Sequence, residues 1–153
     1  LCLLHQAGST ANIAAYARRF PDIAFIIGHV SMNKAGHDDA IKHCARCENI
    51  WFDVAQNPEG ADSSWNLAHL VNHLGSERLM FGSDAPYYNF RLVQAQIEST
   101  DINKETQDRI AYKNAVTLVQ KFRPGWVLTE EPVTPPQLYT EEELWAARGA
   151  RLL

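Results

Sequence analysis

The stretch Arg78-Leu79-Met80-Phe81-Gly82-Ser83-Asp84-Ala85-Pro86 decides how this chain folds. Leu79, Met80 and Phe81 form an unbroken apolar run, the pattern of a short strand covered on both faces. Gly82 and Pro86 punctuate the exit. Asp84 then falls where a parallel strand delivers its last side chain, at the carboxyl end. In a closed α/β barrel that rim is the catalytic face. Taken alone, Asp84 reads more simply as a helix cap or a turn residue, since Asp is common in both. Two other stretches shift that reading: Leu3-Leu4-His5 and Phe25-Ile26-Ile27-Gly28-His29 are also apolar runs, and each ends in a histidine. Strands ending in His, His and Asp form a candidate metal constellation.

Outward from these stretches, strand and helix alternate. Leu1 to His5 reads as a strand, and Ser9 or Thr10 caps a helix to about Arg19 with Ile13, Tyr16, Ala17 and Phe20 at helical spacing. The consecutive apolar residues of Ile23 to Gly28 predict a buried strand. Asp38 to Cys47 predicts a helix with Ala40, Ile41, Cys44 and Ala45 inward, and Ile50 to Val54 predicts a third strand. A helix from Asp62 or Ser63 runs to Leu74 and stops at Gly75. Arg78 to Gly82 is the fourth strand, followed by helices from Phe90 to about Ile97 and from the Asn103 cap to about Lys121. Ile110, Ala111, Asn114, Ala115 and Leu118 mark the inner face of the last. Residues 123–153 read as an appended arm, carrying Trp126, Leu138, Trp145 and a capping box at Thr140-Glu141-Glu142-Glu143. Strand-helix units repeating at about 25 to 30 residues are βα units. A doubly wound sheet and half of an eight-fold barrel both fit. No GxGxxG or GxxxxGK[ST] follows any strand, which favours the barrel piece.

Composition narrows the function. The chain has 153 residues, 46% hydrophobic and 21% charged, with a formal charge of -4. It is neither disordered nor rich in long apolar runs, so no membrane helix is expected. No basic cluster exists, which disfavours nucleic acid. Three cysteines, Cys2, Cys44 and Cys47, do not make a disulfide framework, and a reducing cytoplasm is the default location. The first residue is Leu1, inside an apolar stretch, so the sequence is expected to begin part-way through a larger polypeptide.

Imidazoles with a carboxylate suit Zn²⁺, with Mn²⁺ or Fe²⁺ as alternatives. A divalent ion with open coordination positions lowers the pKa of its water to about 7 and prepares it to attack a carbonyl. Asp84 is a ligand, a base for the water, or both. His29 is a second ligand or a base that polarises the substrate. Asp53, at the end of its strand, contacts substrate or steadies a ligand. Ser31, Met32 and Asn33 follow His29 on a βα loop of the kind that shapes a pocket.

Phe25-Ile26-Ile27-Gly28-His29, Ile50-Trp51-Phe52-Asp53-Val54 and Gly75 to Pro86 resemble the amidohydrolase-related metal-dependent hydrolases. They resemble in particular the branch holding lactone hydrolases and decarboxylases of aromatic and muconate-type acids. Ile110-Ala111-Tyr112-Lys113-Asn114-Ala115 is similar to that family's closing helix, and the likeness runs from Leu1 to about Phe122. The resemblance implies the C-terminal half, strands five to eight, of a metal-dependent (β/α)₈ barrel over residues 1–122. It implies His5 and Asp84 as metal ligands, His29 and Asp84 as catalytic residues, and a small carboxylate, ester or lactone as substrate. The family's first two ligands form an His-x-His pair, which this sequence lacks, so truncation before strand five is expected. Four parallel strands leave two apolar edges open, and association with a missing half or a second copy follows. The resemblance implies hydrolysis of an ester, lactone or amide; non-oxidative decarboxylation and an inactive fragment are the alternatives. Arg91 is the one loop-proximal arginine available to clamp a substrate carboxylate.

Three other signals are read as structural. The Cys44-Ala45-Arg46-Cys47 motif has no second CxxC, so a buried helix face is expected rather than zinc. His69 and His73 lie one turn apart, but Leu70 stands where a zinc protease needs Glu. Trp51 and Trp65 read as packing residues.

Overall fold

The computed structural model describes residues 1–5, 9–30, 34–55, 63–87 and 89–128, with backbone alone at 63–66. The chain runs β1 (Cys2–His5), α1 (Ala11–Arg19), β2 (Phe25–Gly28), α2 (Lys34–Cys44), β3 (Ile50–Asp53), α3 (Ser63–Leu74), β4 (Leu79–Met80), α4 (Phe90–Ser99), α5 (Lys104–Asp108) and α6 (Asn114–Phe122). The four strands form one parallel sheet in sequential order. The register sets Leu4 beside Ile27, Ile27 beside Phe52, and Phe52 beside Leu79.

The two faces of the sheet bury different partners. Phe25, Ile27, Ile50, Phe52 and Leu79 face the helices and pack with Ala14, Ala40, Leu67, Leu70 and Val93. Each buried Leu, Ile or Phe side chain contributes about 1.5–3 kcal/mol by leaving water. On the other face, Ile26 and Trp51 pack with Ala24, Met80 and Leu118. Leu3, on that side of β1, is 65% exposed. Parallel strands buried on both faces carry continuous apolar runs, which is why β2 stood out in the sequence.

Helices α1 and α2 depart from expectation for traceable reasons. In α1 the buried residues are Ala14 and Ala17, while Tyr16 and Phe20 are exposed. The small side chains bring α1 close to the sheet. Asn49 then takes over the helix end, donating from Nδ2 to the carbonyls of Ala17, Phe20 and Ile23 at 3.0, 3.1 and 2.9 Å. Thr10 holds the N-cap position without capping by its own side chain. It is buried and bonded instead to Asp39 of α2, through its N–H at 2.6 Å and its hydroxyl at 2.9 Å. Helix α2 starts four residues earlier than expected and ends at Cys44, so Cys47 lies beyond it. Its inner stripe is His37, Ala40 and Cys44; the last two are on the expected face, while His37 lies before the expected start of the helix.

The fourth strand is shorter than its apolar run. Arg78 belongs to a 3₁₀ turn, Ser76–Arg78, not to the strand. Its guanidinium donates to the carbonyls of Cys44, Cys47, Ala45 and Leu74 at 3.3, 2.7, 2.8 and 2.6 Å. Cys44 and Leu74 are the last residues of α2 and α3, where carbonyls lack helical partners, and Ala45 and Cys47 belong to the turn that follows α2. Gly75, at φ 84°, supplies the left-handed step out of α3. Beyond Met80 the backbone leaves the ladder, and the Phe81 N–H donates to the Ile110 carbonyl at 2.7 Å.

That contact sits at a break in the last helix. Residues Arg109–Lys113 form a π turn between α5 and α6, in which the Asn114 N–H reaches back five residues to Arg109. The wider turn leaves Ile110, Asn114 and Leu118 buried and turns Ala111 and Ala115 to solvent, against the expected face. Asn114 donates from Nδ2 to the carbonyls of Ser76 and Leu79 at 2.6 and 2.7 Å. The last helix thus grips β4 before and after its two residues. Trp126 is half-buried; Leu138, Trp145 and the expected helix after Thr140 lie outside the described residues.

Candidate functional site

All four strands point their carboxyl ends to one rim, and the residues singled out by their strand-end positions meet there. His5 is the last residue of β1, and His29 lies one residue past β2. Their rings are 5.0 Å apart between centroids, edge to face at 73°. Asp84 follows β4 by four residues, and its Oδ1 is 3.8 Å from His29 Nε2. Both side chains are mostly sheltered, 17% and 22% exposed.

His29 and Asp84 share a backbone oddity. Their φ angles are 57° and 53°, and they are the non-glycine residues at positive φ among those described. A side chain in that region costs of order 1 kcal/mol or more and persists where its surroundings fix it. The surroundings here do so. The strand ladder continues past β2 and β3 through Val30 N–H to Asp53 carbonyl at 2.9 Å and Val54 N–H to Met80 carbonyl at 3.0 Å. The Tyr87 N–H closes a turn on the Asp84 carbonyl at 3.0 Å. Helix α4 takes its cap from Asn89, whose Oδ1 accepts from the Arg91 N–H at 3.0 Å. Asp84 therefore does not cap the next helix; its carboxylate is directed towards His29.

Asp53 sits between them. Its Oδ1 accepts from the Ala55 N–H at 2.6 Å, and the nearby His29 backbone N–H favours the charged carboxylate. A Cβ placed on Gly82 would overlap all three carboxyl atoms of Asp53. Burial pushes the Asp53 carboxyl above the usual range and the Asp84 charge adds to this, against the pull of the N–H groups of Ala55 and His29. The Gly82–Asp53 contact was not anticipated from the sequence. A glycine at a strand exit, where another group approaches the backbone closely, is its one sequence signal.

Two imidazoles and two carboxylates at one rim are the donor types that hold Zn²⁺, Mn²⁺ or Fe²⁺. His29 Nδ1 is buried and meets no hydrogen-bond partner among the described residues, so a ring nitrogen is free to serve as a donor. The donors fit a divalent ion in kind. They do not fit in number: among the described residues no group of three or more His, Cys, Asp or Glu closes around one point. Ser31, Met32 and Asn33 lie outside the described residues, as does the Trp65 side chain.

Other singled-out groups lie elsewhere. Cys44 and Cys47 are free and buried, with weak contacts from Cys44 Sγ to the Thr10 carbonyl and from Arg18 to Cys47 Sγ. Burial pushes the Cys44 thiol up, away from metal-binding thiolate character. The His69 and His73 rings lie 4.3 Å apart between centroids on α3, tilted by 45°, with His69 Nε2 3.7 Å from Asp38 of α2. Arg91 is exposed and lies over the neighbouring Phe90 ring. A cavity of about 340 Å³, lined by Phe81, Gln94, Ile97, Lys104 and Gln107 among others, contains none of the rim residues. No described helix is long and apolar enough to cross a membrane.

Comparison with known proteins accords with this geometry. No curated protein sequence matches the chain. A zinc-bound amidohydrolase from Burkholderia multivorans is similar in structure, with 12% identity, a TM-score of 0.58, and coverage of 75% of this chain and 51% of that one. A Pseudomonas putida protein assigned as a 2-pyrone-4,6-dicarboxylic acid hydrolase gives 20% identity and a TM-score of 0.56, covering 76% and 50%. A dihydroxybenzoic acid decarboxylase from Polaromonas, solved with manganese and 2-nitroresorcinol, gives 19% and 0.50, covering 72% and 40%. The chain thus spans about half the length of these structures or less, and its parallel β/α units form part of a (β/α)₈ barrel. The amidohydrolase family pattern matches residues 6–120, most of the sequence. The chain belongs to the amidohydrolase family.

Proposed function

We propose that this chain supplies one wall of a metal-dependent hydrolase site, with His5 and Asp84 directed to a divalent ion and His29 and Asp84 to the reaction. The observation that carries the reading is the convergence of His5, His29 and Asp84 at one rim. Metal in the Burkholderia and Polaromonas structures supports a divalent ion, with Zn²⁺ or Mn²⁺ the candidates. The remaining ligands come from barrel units beyond these four strands, carried by the same polypeptide or by a second chain. When bound, the ion supplies Lewis-acid polarisation and a water of lowered pKa. Asp84 accepts the proton of the attacking water, and its left-handed backbone aims the carboxylate at His29. His29, held against both, orients an ester, lactone or amide carbonyl. Its sheltered position keeps bulk water from competing for the same nitrogen.

A second reading has a specific observation behind it. The Polaromonas decarboxylase and a 5-carboxyvanillate decarboxylase from Sphingomonas paucimobilis share this fold. On that reading the substrate is an aromatic carboxylate, and His29 moves a proton at the carbon that loses CO₂.

Equilibrium dialysis against Zn²⁺ and Mn²⁺, with metal analysis and with the barrel units that carry the remaining ligands present, tests the site. Asp84→Asn and His5→Ala are each expected to weaken binding by at least about tenfold, the scale for perturbed metal shells. Equal binding by wild type and both variants, or none by any of them, would refute the proposed site. Release of CO₂, as against opening of a lactone, then separates decarboxylase from hydrolase.

A further inference from the structure

Asp53 occupies the middle of the rim, and its hydrogen bond runs to backbone rather than outward. One carboxylate oxygen takes the Ala55 N–H at 2.6 Å, and the carboxylate lies close enough to His29, the residue held at φ 57°, for that residue's backbone N–H and ring to favour its charge. The same carboxylate fills the space where a side chain on residue 82 would begin. Residue 82 lies two positions before Asp84. A side chain that lies against the backbone of one site residue and packs on the approach to another controls the separation between them. That separation is the 3.8 Å between His29 Nε2 and Asp84 Oδ1.

We infer that Asp53 is a positioning residue: its carboxylate and Gly82 form a brace that fixes His29 and Asp84 relative to each other, and it does not contact substrate. The inference deepens the metal-dependent reading above and rests on it for the functional consequence, though not for the brace. Gly82 is part of the device, because a Cβ there displaces the carboxylate and with it the His29 N–H. Asp53→Ala removes the carboxylate from both N–H groups. Asp53→Asn keeps the shape and one acceptor, and serves where the alanine variant fails to fold.

The test has two readouts on the purified protein. The first is the amide ¹H–¹⁵N spectrum without metal. The His29 and Ala55 amides are expected downfield in wild type, and upfield together in Asp53→Ala, Asp53→Asn and Gly82→Ala. The double variant Asp53→Ala/Gly82→Ala is expected to match Asp53→Ala, because the clash is gone once the carboxylate is gone. The second is the visible absorption and affinity of added Co²⁺. Asp53→Asn and Gly82→Ala are expected to change the spectrum and weaken binding by about 10- to 100-fold. A purely structural Asp53 would lower stability and leave the Co²⁺ spectrum unchanged, which would overturn the inference. So would unmoved amides in every variant, or an additive double variant. If wild type binds no Co²⁺ while the amides move as expected, the metal-dependent reading fails and the brace stands.

Discussion

Asn114 is the strongest test of how the last helix controls the site. It is 4% exposed, and its side-chain amide donates to Ser76 and Leu79 at 2.6 and 2.7 Å. Asn114→Ala removes both bonds at about 1 kcal/mol each and strands the Leu79 carbonyl, for a further ~1–3 kcal/mol. Part of this is recovered if water reaches the Ser76 carbonyl, so the expected loss is about 2–4 kcal/mol. At ~2–4 °C per kcal/mol for a chain of this length, the unfolding midpoint should fall by about 5–15 °C. Urea titration followed by tryptophan fluorescence measures the free energy directly. Asn114→Asp sharpens the test, since it points a carboxyl at two carbonyl oxygens. In the folded state that carboxyl is raised above its unfolded value of about 3.9. The folded protein then holds the proton longer, so the variant's stability is greatest below about pH 4 and falls as pH rises through the folded pKa. A loss below ~0.5 kcal/mol for Asn114→Ala, within ordinary surface noise, would refute this account of β4. So would a pH-independent Asn114→Asp.

Further outcomes follow from the same structure. Arg78→Lys keeps the charge but loses the planar fork, and should cost about 2–4 kcal/mol, because one ammonium cannot serve carbonyls of two helices; a urea midpoint equal to wild type would contradict this. Asp39 carries a depressed pKa: burial raises it, but bonds from the Thr10 N–H and hydroxyl and the Ser9 hydroxyl outweigh that. Its stabilisation is present above its unfolded pKa of about 3.9 and is lost as pH falls through the lower folded value. Asp39→Asn should therefore be destabilised at neutral pH and converge on wild type in acid, read from urea midpoints across pH.

What the sequence revealed follows a physical line. Strand positions were legible because each strand carries an apolar run, buried on both faces in β2 and β4 and kept in β1 even though Leu3 is exposed, and strand-end His5, His29 and Asp84 could be placed by counting. The end of α3 was legible because Gly75 has the conformation its type suggests. Features set by distant partners were not. Nothing local to Leu79-Met80-Phe81 says that Ile110 will take the Phe81 N–H and cut the ladder short. The left-handed backbones of His29 and Asp84 are hidden because neither residue type announces them. The buried His37 was missed because the helix was expected to begin at Asp38, one residue after it. The π turn shifted Ala111 and Ala115 outward because regular 3.6-residue spacing does not anticipate a five-residue step.

Arg78 has a consequence for how this sequence can vary. Helix ends usually look after themselves, each with its own glycine or a coat of water. Here α2 stops at Cys44 without a glycine and relies on a guanidinium from more than thirty positions downstream. The exposed Arg46 is thereby released from capping, while Ala45 still packs against the core. The liability gathers at a single residue, whose replacement withdraws donors from the ends of two helices together.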